Sequence, residues 1–191
     1  MKKIMFNDKF GLTQAVLEGR KTMTRRVVPT KLLDSIKQYA HSSENELCYR
    51  LRANATYNVG DIVAIAQSYE TLANSGYLDK MMEAPLSMKK EYSGAGYKNK
   101  MFVSADKMPH HIKITKVRVE YLQDISDEDC LREGIGCFLY TFGITEYARV
   151  PILKLFGSPQ KAFAALIDKV SGKGTWDSNP MVWVYEFELV D

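Results

Sequence analysis

The residues in this chain best placed to do chemistry are cationic. Between Glu18 and Asp34 stand Arg20, Lys21, Arg25, Arg26 and Lys31, with no acid among them. Such a block at the border of a cleft attracts phosphate-bearing ligands, because each contact releases a condensed counterion. On its own it equally describes a solvated face. A second block holds Lys98, Lys100, Lys107, Lys113, Lys116 and Arg118 with His110 and His111, interrupted only by Asp106. Tyr92, Tyr97, Met101 and Met108 interleave with it. They would stack on bases, and core packing accounts for them as well. His110 and His111 are adjacent, so on a strand they point to opposite faces and do not share one metal. The cysteines Cys48, Cys130 and Cys137 are odd in number and form no CxxC pair, and His41 is the one remaining histidine. No zinc site and no disulfide framework can be assembled from that set. No metal and no cofactor is expected.

Composition bounds the rest. The chain has 191 residues, 46% hydrophobic and 26% charged, with a formal net charge of +3. That is the profile of an ordinary globular protein, long enough to bury one sizeable core without a staple, and a single domain is the expectation. A charge of +3 falls short of the balance of a protein that coats nucleic acid, so any nucleic-acid surface is local. No apolar run approaches the roughly 18 residues of a membrane span, and the N-terminus Met1-Lys2-Lys3-Ile4-Met5-Phe6-Asn7-Asp8 turns polar too early for a signal peptide. A cytoplasmic protein with no membrane partner is expected.

The elements that must position these residues follow from periodicity and punctuation. Lys3 to Phe6 reads as a strand, and Phe10, Thr13, Val16 and Leu17 as a helix closed by Gly19. Thr22 to Val28 is β-branched and ends at Pro29, which reads as a strand. Leu32, Leu33, Ile36 and Tyr39 form a helical stripe, His41 to Glu46 a loop, and Cys48 to Arg52 a weak alternation. Val59-Gly60-Asp61 turns into the strand Ile62 to Ala66, and residues 70–99 carry no clean period, with one helix expected around Tyr77 to Met82. Met101 to Val103 and Ile112 to Leu122 read as strands. Ser126 opens and Gly134 closes a short helix, and Ser158-Pro159 opens a longer one that runs to Gly172. Met181, Trp183, Tyr185, Phe187 and Leu189 then share one face of a half-buried strand. Strands in such succession favour a curled, mostly antiparallel sheet or small barrel decorated with helices.

Gly19-Arg20-Lys21-Thr22-Met23-Thr24-Arg25, together with Val59-Gly60-Asp61, Leu122 to Gly134 and Trp183-Val184-Tyr185-Glu186-Phe187, resembles the ASCH family of the PUA-like superfamily. Trp176-Asp177-Ser178-Asn179-Pro180 resembles its larger, phage-associated branch. The resemblance implies an α+β fold on a PUA-like small curled β-barrel, one domain over 1–191 with added segments near 30–57, 70–100 and 136–157. It also implies binding of RNA or a nucleotide, for which Arg20, Lys21, Arg25 and Arg26 are the phosphate-binding candidates. A bacterial member of that superfamily is an amidohydrolase acting on acetylcytidine, and Lys21, Thr24 and Glu133 match its lysine, threonine and glutamate. Those types suit the chemistry: a lysine of lowered pKa is a base for a hydroxyl nucleophile, and a carboxylate orients the lysine. Glu133 stands out independently, since an acid just before Gly134 lies at the negative end of a helix dipole. On a regular strand Lys21 and Thr24 would face opposite sides, so their convergence requires Lys21 to lie in the turn after Gly19. Binding of RNA or a nucleotide therefore ranks first, amide hydrolysis on a modified nucleoside second, and a structural or protein-binding role third.

Overall fold

Caps and turns in the sequence decide where each element begins. The computed structural model describes residues 1–39, 43–75, 77, 95–136 and 156–190. Its strands are β1 (Lys2–Ile4), β2 (Met23–Val27), β3 (Ile62–Ile65), β4 (His111–Tyr121) and β5 (Met181–Leu189). Six α-helices occur among the described residues: α1 (Leu12–Leu17), α2 (Thr30–Tyr39), α3 (Glu44–Ala53), α4 (Tyr69–Asn74), α5 (Asp127–Arg132) and α6 (Pro159–Ser171). None of them is long and apolar enough to cross a membrane.

The strands form one open sheet in the order β1-β3-β4-β5-β2. The expected PUA-like barrel is therefore corrected to an α+β fold with an open, mixed sheet. β1 and β2 are the two edges, and β1 is only three residues long. Closure needs strands of matched length and stagger, which so short an edge cannot supply. The expectation of a mostly antiparallel sheet also fails at this edge: β1 runs parallel to β3, with Lys2 opposite Val63 and Ile4 opposite Ile65. A parallel pair needs a long crossover, here the stretch that carries α1 to α3.

By internal contacts the chain divides into two compact units. The first comprises residues 1–6, 62–112 and 190–191. Its core gathers Ala64, Ala66, Tyr69, Leu72, Val103 and Met108. Met108, a candidate stacking residue, is thus core, whereas Tyr97 and Met101 are exposed. The second unit comprises residues 7–61 and 113–189. It buries Met23, Leu51, Leu122, Ile125, Phe163, Leu166 and Tyr185, each contributing about 1.5–3 kcal/mol relative to exposure.

Several expectations shift locally, each for a visible reason. Cys48 to Arg52 belongs to helix α3: the Ser43 hydroxyl accepts from the Glu46 N–H, and Glu46 pairs with Arg50 one turn on at 2.7 Å. That cap and pair outweigh the weak alternation. Residues 100–102 form a single 3-10 turn, because the Asn99 side chain accepts from the Met101 N–H. Helix α4 opens on Ser68, whose hydroxyl takes the Thr71 N–H. β5 is buried on both faces from Met181 to Tyr185 and lies between β4 and β2 in the sheet. Apart from Tyr77, the helix expected around Tyr77 to Met82 lies outside the described residues, as do Tyr92, His41 and Cys137. Of the expected added segments, 30–57 carries α2 and α3, and most of 70–100 and 136–157 lies outside the described residues as well.

Two glycines set the chain paths that matter below. Gly19, at φ 71°, ends the turn after α1, and Gly134, at φ 96°, ends the turn after α5. A Cβ at Gly134 would meet Lys21 Cβ and Ala15 Cβ at 3.5 Å, which is ordinary contact, so the constraint there is conformational. Gly134→Ala should therefore cost about 1–2 kcal/mol, read from the midpoint of a denaturant titration.

Candidate functional site

Lys21 lies in the turn after Gly19 and ahead of β2, outside the regular strand. Its N–H donates to the Ala15 carbonyl at 2.9 Å, and the Thr22 N–H donates to the Arg132 carbonyl at 3.0 Å. These two bonds tie the turn to α1 on one side and to the end of α5 on the other. The Lys21 side chain is 2% exposed. Its Nζ donates to Glu133 Oε2 at 2.5 Å and to the Glu133 carbonyl at 2.8 Å. Glu133 is the C-cap residue of α5, and its carboxylate turns into the protein, where Lys21 and Arg25 supply the positive charge that an acid at this end of a helix needs.

Arg25 projects from β2 with a side chain 1% exposed. Its guanidinium donates from Nη1 to Glu133 Oε1 at 3.2 Å and from Nη2 to Glu120 Oε1 at 2.6 Å and Asp129 Oδ2 at 2.9 Å. Arg118 extends the network on β4: it donates to Glu120 Oε2 at 2.9 Å, to Glu186 Oε1 at 2.8 Å and to Asp129 Oδ2. Arg132 closes it with a 2.8 Å bond to Glu186 Oε2. Lys21, Arg25, Arg118 and Arg132 thus face Glu120, Asp129, Glu133 and Glu186. Four elements, β2, β4, α5 and β5, supply the members around the turn that holds Lys21.

The expected site residues therefore separate into three groups. Lys21, Arg25 and Glu133 come together in the interior. Thr24, on β2 opposite Tyr185, is also buried, and no hydrogen bond joins its hydroxyl to another described residue. Arg20 is exposed and pairs with Glu18 at 2.5 Å, and Arg26 is partly exposed. The four phosphate-binding candidates do not form one surface, because Lys21 and Arg25 are held by carboxylates. The second basic block is dispersed as well. Lys100 donates to the Phe6 carbonyl, Lys116 lies 3.7 Å from Glu186, and Arg118 sits in the ion network. Sequence reading missed Glu120, Asp129, Arg132 and Glu186, and put Arg118 in a basic block rather than in an ion network. The available signal was a charged residue inside an apolar strand, at 118 and 120 in β4 and at 186 in β5.

Burial and charge act together on these groups. Burial pushes the Lys21 amine below its ordinary value against the pull of Glu133, and Arg26 and Arg25 push the same way. Burial would lower Arg25 too, but Glu133 and Glu120 outweigh it and hold the guanidinium charged. Asp129 and Glu186 titrate low: burial opposes their charge, and Arg25 and Arg118 around the first, with Arg132 around the second, overcome it. Burial raises the Cys130 thiol to about 12, which leaves it protonated and unreactive. Among the described residues no group of three His, Cys, Asp or Glu is arranged to hold a metal, and the carboxylates that do gather are occupied by guanidinium groups.

What the arrangement can do chemically is limited and specific. It presents a dry amine engaged by the Glu133 carboxylate and closed off from solvent, which suits proton exchange with that carboxylate better than phosphate capture. A cavity of about 270 Å³ elsewhere in this unit is lined by Tyr49, Arg52, Ala53, Asn58, Val59 and Val117. None of Lys21, Thr24 and Glu133 lines it, and the charge network marks the chemical centre better than that depression does.

No family model and no curated protein matches the chain. Among solved structures, it is similar to protein EF3133 from Enterococcus faecalis V583, described by the family model DUF984. The identity is 14% and the TM-score 0.37, over 94% of this chain and 67% of that one. A likeness this slight carries neither fold nor function across.

Two outcomes test the network. Arg25→Met leaves buried carboxylates without their shared cation and should cost about 3–5 kcal/mol, whereas Arg20→Met at the surface should stay within about 0.5 kcal/mol, both by chemical denaturation. A carboxylate with a lowered folded pKa contributes its full stability above the unfolded value and loses it as pH falls through the folded one. The thermal midpoint should therefore hold steady above about pH 5 and fall steeply below about pH 4 as Asp129 and Glu186 protonate.

Proposed function

We propose that the chain is an ASCH-type amidohydrolase acting on an acylated nucleoside of the acetylcytidine class, with Lys21 as base, Thr24 as nucleophile and Glu133 as the group that orients the lysine. The observation that carries this reading is the contact of the buried Lys21 amine with the Glu133 carboxylate at 2.5 Å. The carry-over needs no closed barrel. It needs the turn after Gly19, the start of β2 and the end of α5, all of which are present.

In the proposed reaction neutral Lys21 Nζ takes the Thr24 hydroxyl proton as Oγ1 attacks the acyl carbon. The tetrahedral adduct collapses with cleavage of the C–N bond, and the Lys21 ammonium returns that proton to the leaving amine. Water, deprotonated by the same amine, then attacks the threonine ester, releases the carboxylic acid and restores the hydroxyl. Glu133 holds Nζ through the cycle. The lowered proton affinity of Lys21 supports the first step, since a protonated lysine cannot act as base.

Binding of RNA or a nucleotide is the second reading, narrowed to Arg20 and Arg26, the two of the four phosphate-binding candidates that reach solvent. A cytoplasmic setting accompanies either reading, since nucleosides and RNA are found there.

The test is release of carboxylic acid from acetylcytidine by the purified chain. Lys21→Met and Thr24→Val should each lower turnover by about 10²–10⁴-fold, with cooperative melting retained, and Thr24→Ser should keep a measurable rate. Absence of turnover in the wild-type chain, alongside nucleotide affinity that weakens with salt and with neutralisation of Arg20 and Arg26, would replace hydrolysis with the binding reading.

A further inference from the structure

The Glu133 carboxylate is divided between two cations. Oε2 accepts from Lys21 at 2.5 Å, and Oε1 accepts from Arg25 at 3.2 Å. Arg25 is itself held from several directions: Glu120 Oε1 accepts from its Nε at 3.0 Å and its Nη2 at 2.6 Å, Asp129 Oδ2 accepts from Nη2 at 2.9 Å, and Met23 Sδ lies 3.2 Å from Nη1. A planar fork can satisfy three carboxylates at once, and an ammonium on a flexible stem cannot.

Building on the hydrolase reading, we propose that Arg25 is the positioning residue of the site: it fixes the orientation of Glu133 and takes up part of its charge, so that Glu133 holds the Lys21 amine in place without claiming it as a full ion-pair partner. The groups facing Lys21 account for the balance. Burial opposes the ammonium most; Glu133, at the end of α5, favours it, and Arg26 and Arg25 on β2 add to the opposition. Behind them stand Asp129 and Arg132 from α5, Arg118 and Glu120 from β4, and Glu186 from β5, which pair mainly among themselves. With Oε1 engaged by Arg25, Glu133 has only one oxygen and a fraction of its charge left for Lys21. The Lys21 side chain is 2% exposed, so water does little to make up the difference.

The experiment is a pH titration of the lysine Nζ resonances in the full chain with ¹⁵N-labelled lysine, the Lys21 signal being assigned by its loss in Lys21→Met. The pH profile of acetylcytidine turnover is measured alongside. In the wild type, Lys21 should titrate below the ordinary lysine value, because its burial disfavours the charged form. Arg25→Lys keeps a charge but frees Glu133 Oε1, and should raise the Lys21 midpoint. Arg25→Gln removes the charge as well and should raise it further. The pH of half-maximal turnover should move in the same direction, with much of the rate recovered at high pH, a recovery that a purely structural role would not produce. A Lys21 midpoint unmoved in either folded variant, or a wild-type Lys21 that titrates with the other lysines, overturns the proposal. Loss of cooperative unfolding in both variants does so too, and leaves Arg25 to the fold alone. Absent turnover in the wild type removes the hydrolase reading while the titration still decides what Arg25 does to Lys21, so the two failures are distinguishable.

Discussion

A guanidinium cannot shed its proton, so an arginine buried as deeply as Arg25 must find its counter-charges inside the protein. That requirement governs much of the second unit. Glu120, Asp129 and Glu133 have to arrive together at one side chain of β2. β4 must bring Glu120 to it, and α5 must turn its inner face toward the same point. Arg118 and Arg132 then offset the charge that one guanidinium cannot, and Glu186 links them from β5. Replacing such a network by apolar side chains is often neutral or better for stability, so its presence points to specificity of arrangement or to function more than to strength.

Local elements were legible in the sequence where a cap and a periodic stripe agreed. Helix α6 runs from Pro159 behind the Ser158 cap, α5 opens on Ser126 and stops before Gly134, and β4 and β5 lie within a residue or two of their expected spans. Where cap and pattern disagreed, the pattern misled. The alternation at Cys48 to Arg52 lost to the Ser43 cap and the Glu46–Arg50 pair. Closure of the sheet could not be read at all, since it depends on which strands pair. The parallel partnership of β1 and β3 joins segments whose own sequences say nothing of each other.

The candidate site was legible in part, and the limit is instructive. Positive charges counted along the chain suggested a surface for phosphate. In space, Lys21 and Arg25 turn inward to acids that lie a hundred residues away in sequence. A basic block therefore reports a surface only when its counter-charges are also near in sequence, as Glu18 is to Arg20. The position of Lys21 off the strand was legible from Gly19, which ends the turn after α1 two residues before it.

The separations within this network bear on how the chain comes into being. Lys21 and Glu133 are 112 positions apart, Arg25 and Asp129 are 104 apart, and Arg132 waits a further 54 for Glu186. A ribosome delivers these residues in order, N-terminal part first. Lys21 and Arg25 therefore remain hydrated and mobile through most of synthesis, and the chain must close large loops before their partners reward it. Any chemistry at Lys21 that depends on its pairing with Glu133 is accordingly silent until the end of α5 has been made and has docked.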